Sequence, residues 1–260
     1  MGYRTIAFEC FGGVAEVELA RPERLNAVNR RMVDEIADVA SGVAADRTIR
    51  ALVFRGRGRA FSAGADISEL SAYESAGEPL DHIERIQNVY SEIERLPIPT
   101  VAAIHGFAYG GGLELALCCD FRILAADAKL GVPEIKIGVL PGAGGTQRLS
   151  RMLPPAIAKQ MILLGESLDA EAALRHGLVN RVVAADDVLE AARAIAAQAA
   201  TLPPLALRSG KLMIHSGAYG GLERGIEAER QAMAFLFATE DRREGMRAFL
   251  EKRPPHFEGR

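Results

Sequence analysis

The stretch that decides the fold is Thr100-Val-Ala-Ala-Ile-His-Gly-Phe-Ala-Tyr-Gly-Gly-Gly-Leu-Glu-Leu115. Its first residues, 100–104, are apolar or β-branched and predict a short buried strand. Three glycines at 110–112 then precede an apolar run that contains Glu114, which predicts the start of a helix. A strand that leads into a helix is the connection that builds parallel sheets. The stretch therefore predicts one repeat unit of an α/β fold.

Further strands and helices alternate on both sides of this stretch. The predicted elements are a hairpin around Phe11-Gly12-Gly13, helices over Asn26–Ala45 and Leu80–Leu96, and strands at Ala51–Phe54, Phe121–Ala125 and around Leu178–Val183. Because helical segments separate most of the strands, we expect an α/β protein with a largely parallel sheet.

The pattern changes after Ala184. From there the apolar residues recur at helical spacing, with predicted helices near Val188, Leu205, Leu222 and Arg242, and strand signals are lacking. The sequence therefore predicts two regions. Residues 1–195 form an α/β core that carries the active site, and residues 196–260 form an α-helical C-terminal region.

Composition excludes several classes of protein. The 260 residues are 49% hydrophobic and 25% charged, as in ordinary globular proteins. A net charge of −3 and the lack of tryptophan disfavour nucleic acid as the main partner. The most apolar segment, Val101–Cys119, is interrupted by His105 and Glu114, so no membrane span is expected. Three cysteines without CxxC spacing and an N-terminus without a signal peptide predict a cytoplasmic protein.

Glycine-bearing segments are the first candidates for chemistry. They are Ala60–Ile67, His105–Leu115 and Val132–Gly145, and none matches a dinucleotide or phosphate loop. Amides in the first turn of a helix have no intrahelical acceptor, so a glycine such as Gly111 can offer its N–H to a ligand oxygen. Two such amides aimed at one oxygen would stabilise developing negative charge. The alternative is that the glycines only permit close packing of helix against strand.

Two acidic residues accompany these segments. Glu114 stands in the first helical turn within an apolar run, and Glu134 follows Pro133 in an irregular stretch. When two carboxyl groups share one dry pocket, burial and mutual repulsion separate their pKa values. One group can then donate a proton and the other can accept one. The alternative is a helix-terminal charge and a solvated loop glutamate, and the spacing alone does not decide between them.

Taken together, these motifs resemble the crotonase superfamily, the enoyl-CoA hydratase/isomerase family. The resembling segments, in order, are Arg21–Val28, Ala60–Ile67, Gly106–Asp120, Pro133-Glu134, Leu140–Leu149, Ala170–Val182 and Asp241–Arg253. The resemblance implies a spiral of ββα units with an α-helical C-terminal region. It also implies that this region closes the site and assembles trimers, commonly paired into hexamers.

The resemblance assigns catalytic roles to five residues. The backbone N–H groups of Ala65 and Gly111 would form the oxyanion hole for a thioester carbonyl. Glu114 would act as the base on water, and Glu134 would deliver a proton to the α-carbon. The amide of Gly142 would help to orient the water. Each position matches the motif of the family, and hydratases of the family carry both acids.

It also assigns substrate contacts. Ala63 lies where the family's backbone meets adenine, and Asp66 and Ile67 continue the same CoA-binding segment. Lys252 matches a tail lysine that reaches the CoA of a neighbouring subunit. Ser68 stands where many hydratases have lysine, so one contact to the CoA phosphates is expected to be absent.

The expected activity is that of a hydro-lyase that adds water to trans-2-enoyl-CoA and yields 3-hydroxyacyl-CoA, as in the β-oxidation of fatty acids. No metal or redox cofactor is implied, since CoA enters as part of the substrate. Two alternatives keep the fold: a Δ3,Δ2-enoyl-CoA isomerase and a branched-chain hydratase of the methylglutaconyl type. A third, of a different class, is a non-catalytic relative that binds acyl-CoA or RNA.

Overall fold

The computed structural model describes residues 2–75 and 77–260. The chain divides into two compact units, Met1–Ala196 and Ala197–Arg260, next to the predicted boundary between residues 195 and 196. The first unit combines strands and helices, and the described part of the second is helical outside its turns and C-terminal residues. The predicted α/β class with a helical C-terminal region is therefore confirmed.

The strands of the first unit form two sheets in the described residues. The strands of the described residues are β1 (Ile6–Phe11), β2 (Val14–Leu19), β3 (Ala51–Gly56), β4 (Thr100–Ile104), β5 (Phe107–Tyr109), β6 (Phe121–Ala125), β7 (Lys129–Gly131), β8 (Ser167–Asp169) and β9 (Arg181–Val183). The main sheet has the order β1-β2-β3-β4-β6-β9, and the small sheet has the order β5-β7-β8. In the main sheet only β1 and β2 pair antiparallel, so the sheet is largely parallel as expected.

Helices connect these strands and make up the C-terminal unit. In the described residues they are α1 (Arg30–Ala45), α2 (Ile67–Leu70), α3 (Gly77–Glu94), α4 (Gly111–Leu117), α5 (Gly145–Met152), α6 (Pro155–Leu164), α7 (Ala170–Arg175), α8 (Val188–Ala200), α9 (Pro204–Gly220), α10 (Leu222–Phe237) and α11 (Glu240–Glu251). A 3₁₀ turn, Pro133–Ile137, follows β7. Among the residues described, no helix combines the length and the apolar character that crossing a membrane requires.

The start of α1 differs from the prediction. The predicted helix began at Asn26, whereas α1 begins at Arg30. Asn29 caps it, because its side chain accepts a hydrogen bond from the N–H of Met32 at 2.9 Å. Leu25 and Asn26 precede the cap with left-handed φ angles of 52° and 55°, which no helix can contain.

The core of the first unit is built from the inner strands and the apolar faces of the helices around them. Every residue of β4 is buried. Buried faces of α1 and α3 add aliphatic and aromatic side chains, namely Met32, Val33, Ile36, Val39, Val43, Ile86, Val89, Tyr90 and Ile93. The β4 strand is followed by β5 and α4, so a fully buried strand precedes the glycine triplet.

The C-terminal unit ties its last residues to α11. The carboxylate of Asp241 accepts hydrogen bonds from the N–H groups of Glu258 and Gly259, at 2.7 and 2.9 Å. Glu244 accepts two hydrogen bonds from the guanidinium of Arg253, at 2.6 and 2.9 Å. The final segment is therefore held to the helix by charge-assisted hydrogen bonds.

Candidate active site

Two of the three predicted glycine segments run side by side. The segment 60–65 forms a parallel bridge with β5, in which Ser62 lies opposite Ala108. The N–H of Ser62 donates to the carbonyl of Phe107 at 3.2 Å, and the N–H of Tyr109 donates to the carbonyl of Ser62 at 3.0 Å. This pairing brings the end of the first segment beside the glycine triplet of the second.

The N–H of Ala65 lies next to Gly111. Ala65 pairs with Val28, and the hydrogen bonds of that bridge use the carbonyl of Gly64 and the N–H of Asp66. In parallel pairing, the residue between those two groups directs its own N–H to the opposite side. A methyl group added to Gly111 would lie 3.6 Å from the nitrogen of Ala65. The two predicted oxyanion amides are therefore neighbours.

The three glycines of the triplet differ in whether a methyl group would fit at their position. A methyl group on Gly112 would collide with Ser62, so this glycine serves close packing. Gly110 has a φ of 46°, and a methyl group there would lie 2.5 Å from Oε1 of Glu134. A methyl group on Gly111 would meet no described atom nearer than 3.6 Å, an ordinary contact. Packing therefore accounts for Gly112 and Gly110 but leaves space beside Gly111.

Glu114 is a buried carboxyl group on α4, with 2% of its surface exposed. Its Oε1 accepts hydrogen bonds from the N–H groups of Ala143 and Gly145, at 2.8 and 2.6 Å. Burial is the main cause that raises the pKa of Glu114 to about 7, and the charge of Glu134 adds to it. The two amides and the charge of Arg148 act in the opposite direction. The predicted alternative of a simple helix-terminal charge does not describe this residue.

Glu134 lies on the 3₁₀ turn and packs against Gly110. Its Oε2 is buried without a hydrogen-bond partner in the part of the chain that the structure describes. Burial raises the pKa of Glu134 above that of a free glutamate. A buried carboxyl oxygen without a partner disfavours the charged form and leaves a polar atom available to a ligand. The alternative of a fully solvated loop glutamate is also wrong.

The third glycine segment forms a loop that binds the carboxyl group of Glu114. The donors are Ala143 and Gly145, while the carbonyl of Gly142 accepts a hydrogen bond from Nε2 of Gln87 at 2.7 Å. The role of the Gly142 amide toward water stays a prediction. Sequence reasoning missed Ala143 and Gly145, and the alternation of glycine and alanine over 142–145 was the only available signal.

The predicted CoA-contacting residues have diverse surroundings. Asp66 caps α2 and forms an ion pair with Arg21 at 2.9 Å, so its side chain holds the segment together. Ile67 is exposed, and the N–H of Ala63 donates to the carbonyl of Leu25. Lys252 ends α11 in the C-terminal unit, with a left-handed φ of 53°. Their contacts with CoA stay predictions.

A buried polar residue that the sequence analysis did not single out supports the segment 60–65. Asn26 is fully buried, and its Nδ2 donates to the carbonyls of Arg57 and Ala60, each at 2.9 Å. The backbone carbonyl of Asn26 accepts a hydrogen bond from Oγ of Ser62 at 2.8 Å.

Across residues 2–75 and 77–260, His, Cys, Asp and Glu side chains form no group of three that could hold a metal ion.

Comparison with known proteins gives one consistent result. A family model described as enoyl-CoA hydratase/isomerase matches residues 9–260. A crotonyl-CoA hydratase of Syntrophomonas wolfei is 40% identical over 258 residues, 99% of each chain. A 2,3-dehydroadipyl-CoA hydratase of Escherichia coli is 39% identical over 242 residues, 93% of this chain and 94% of that protein. The crystal structure of an enoyl-CoA hydratase from Bacillus anthracis matches with a TM-score of 0.95 and 35% identity, covering 99% of this chain and all of that one.

Proposed function

Because the chain belongs to the enoyl-CoA hydratase/isomerase family and has its fold, as its motifs predicted, we propose that it hydrates enoyl-CoA thioesters. Water adds across the C2=C3 bond of a trans-2-enoyl-CoA, and the product is a 3-hydroxyacyl-CoA. The observation that carries this proposal is the pair of buried carboxyl groups, Glu114 and Glu134, near the neighbouring residues Ala65 and Gly111. Hydration needs a proton acceptor for water and a proton donor for carbon, and this pair supplies both.

The amides of Ala65 and Gly111 bind the thioester carbonyl oxygen in this proposal. Their hydrogen bonds draw electron density from the conjugated double bond, so C3 becomes open to attack by water. Negative charge that develops on the oxygen as the enolate forms is stabilised by the same two donors. Removal of one such donor from an enzyme costs about 10²–10³ in rate.

The two carboxyl groups move the protons. Water is held between them, and Glu114 accepts one proton as the oxygen of water bonds to C3. Glu134 donates a proton to C2 as the enolate collapses. One hydrogen and one hydroxyl have then been added, and the charge has passed from Glu114 to Glu134. Transfer of one proton from Glu114 back to Glu134 restores the starting state.

The environment of the acids suits these roles. A pKa of about 7 lets Glu114 exist in both its charged and neutral forms at neutral pH, as a base in each turnover requires. Burial also raises the pKa of Glu134, so its carboxyl group holds a proton more readily than that of an exposed glutamate. The site thus offers a base and an acid within one buried region.

A direct assay tests the proposal. The conjugated enoyl thioester absorbs in the ultraviolet, and hydration removes that absorbance while adding the mass of one water to the product. We expect turnover with a straight-chain trans-2-enoyl-CoA, and a series of longer and branched thioesters will define the preferred acyl group. A protein that converts a 3-enoyl-CoA to the 2-enoyl isomer but hydrates none of the series would contradict the proposal. So would saturable CoA binding without any turnover.

We also propose that the protein is a homo-oligomer, a trimer or a dimer of trimers, that works in cytoplasmic acyl-CoA degradation. Large apolar side chains on α10 and α11 are exposed, among them Phe235, Phe249 and Leu250, and such surfaces usually contact another chain. Cys118 and Cys119 are free and buried, which fits a reducing compartment. Light scattering should give about three or six times the chain mass of 27.9 kDa, and a monomer would contradict the assembly.

A further inference from the structure

A half-buried ion pair lies behind the Glu114 carboxyl, and the proposed mechanism does not use it. Arg148 on α5 donates to Oε2 of Glu94 at the end of α3, from Nη2 at 2.7 Å and from Nε at 3.3 Å. The two side chains are 11% and 18% exposed. Both ionic groups are therefore largely withdrawn from water, where the cost of desolvation offsets much of the attraction between the charges.

The guanidinium also holds the loop that binds Glu114. Nη1 of Arg148 donates to the carbonyl of Ala143 at 3.1 Å, and the N–H of Ala143 donates to Oε1 of Glu114. A methyl group on Gly144 would collide with Nη1 of Arg148, so the loop backbone lies directly against the guanidinium. A continuous chain of hydrogen bonds thus runs from Glu94 through Arg148 and Ala143 to Glu114.

We propose that Glu94 and Arg148 are positioning residues that hold the loop 143–145 on Glu114 and set the charge state of that carboxyl group. Neither residue touches the reacting atoms in this proposal. It deepens the proposed function, on which only its catalytic consequence rests. A planar guanidinium is needed here because it bonds a carboxylate and a peptide carbonyl at once, which a lysine ammonium does with poorer geometry.

The charges around Glu114 define what the pair does electrically. The titratable groups that interact with it are Glu134 on the 3₁₀ turn, Arg148 on α5, Tyr90 on α3 and Cys118 on α4, while Glu94 is paired with Arg148. Burial raises the pKa of Tyr90 and of Cys118 well above the ordinary values, so both stay neutral. Burial raises the pKa of Glu114, and the charge of Arg148 lowers it. Glu94 partly neutralises that cation.

This arrangement predicts opposite effects from the two partners. Loss of the cation in Arg148→Gln should raise the pKa of Glu114. Loss of the anion in Glu94→Gln leaves Arg148 uncompensated and should lower the pKa of Glu114. A pair that merely joined α3 to α5 would lower stability in both variants without moving the titration in opposite directions.

The test is a direct titration that needs no activity. Protein labelled with ¹³C at the glutamate side-chain carboxyl is titrated by NMR, and Glu114→Gln identifies the signal of Glu114. We expect an upward shift in Arg148→Gln and a downward shift in Glu94→Gln. The matched control is Arg175→Gln, which breaks an exposed ion pair with Glu171 and should leave the Glu114 titration unchanged. Shifts in the same direction, or no shift in either variant, would overturn the proposal.

A conservative variant separates charge from geometry. Arg148→Lys keeps the cation but loses the contact with Ala143, so the pKa of Glu114 should rise less than in Arg148→Gln, where the charge is lost as well. Glu94→Gln and Arg148→Lys also decide the question if Arg148→Gln does not fold. A shift of the titration in Arg148→Lys as large as that in Glu94→Gln would contradict the assigned role of charge.

Hydration kinetics give the second readout. In Arg148→Gln we expect kcat to fall about 10²-fold, because the base is misplaced, while KM changes less. The ascending limb of the pH profile should move in the same direction as the NMR titration. If the unmodified protein hydrates no enoyl-CoA, the proposed function fails, yet the NMR titration still decides the role of the pair. Normal kcat in Arg148→Gln together with normal hydration by the unmodified protein would overturn the positioning role alone.

Discussion

Glu114 and Glu134 differ in their burial and in their hydrogen-bond partners. Glu114 is the more deeply buried, on a helix, with two amide donors on one oxygen. Glu134 lies on a short turn, with one buried oxygen that has no partner among the described residues. At Glu114, two backbone hydrogen bonds and the charge of Arg148 act against burial, whereas at Glu134 the opposing group is its own backbone N–H. The difference indicates that hydrogen bonds and neighbouring charges set the charge state of Glu114, whereas burial is the main influence on Glu134.

The largest effect should come from neutralising either acid. Glu114→Gln and Glu134→Gln each preserve size and hydrogen-bonding ability but remove proton transfer. General acid–base catalysis contributes about 10²–10⁴-fold, so we expect losses of that order in the hydration rate of each variant. Stopped-flow or steady-state absorbance measures the rates, and circular dichroism verifies folding. If one variant kept the hydration rate of the unmodified protein, the carboxyl group replaced in it would have no role in proton transfer.

The next effect concerns the position of Glu134 rather than its charge. Gly110→Ala introduces a methyl group 2.5 Å from Oε1 of Glu134 and a left-handed backbone strain. We expect kcat to fall about 10²-fold as the carboxyl is displaced. Gly177→Ala is the matched control, because Gly177 also has a positive φ, 74°, but open space around it. Equal losses in both variants would assign the effect to strain alone.

A smaller effect is expected from the hydroxyl of Tyr90. It is buried and donates to the carbonyl of Gly111 at 2.8 Å, which anchors the first turn of α4. Tyr90→Phe removes this hydrogen bond and should lower the free energy of unfolding by about 0.5–1.5 kcal/mol. Urea titration measures the change. Tyr3→Phe removes a more exposed hydrogen bond, to Asp38, and should have a clearly smaller effect, while equal effects would contradict the account.

The smallest effect is a shift in the pH dependence of kcat/KM for hydration. The pKa of Glu114, about 7, should appear as the ascending limb of kcat/KM, because Glu114 must be charged to accept a proton. The charge of Glu134 raises the pKa of Glu114, so its removal in Glu134→Gln should move the limb of the residual activity to lower pH. If the limb does not move, the charge of Glu134 does not affect the pKa of Glu114.

Local sequence patterns were sufficient for the parts of the molecule that local chemistry decides. The strand at 100–104, the glycine triplet and the buried Glu114 all lie in one continuous stretch, so their order could be predicted. The small sheet β5-β7-β8 was not predicted, because its strands have three residues each and show no periodicity. The late start of α1 had a local signal in Asn29, which the apolar periodicity concealed.

The partners of the acids could not be predicted, since they come from distant segments. Ala143 and Gly145 bond Glu114 only because the loop before α5 folds back over α4. The same holds for Glu94 and Arg148, whose types and spacing in the sequence resemble those of ordinary surface residues. Only three-dimensional proximity distinguishes them from an exposed pair such as Glu171 and Arg175.

The most direct test of the central claim is a crystal structure with butyryl-CoA, a saturated thioester that cannot be hydrated. We expect its carbonyl oxygen at hydrogen-bond distance, about 2.7–3.1 Å, from the nitrogens of both Ala65 and Gly111. Carbons 2 and 3 should then lie beside the carboxyl groups of Glu134 and Glu114. A thioester oxygen bound away from either nitrogen, or an acyl chain remote from the two acids, would contradict the account.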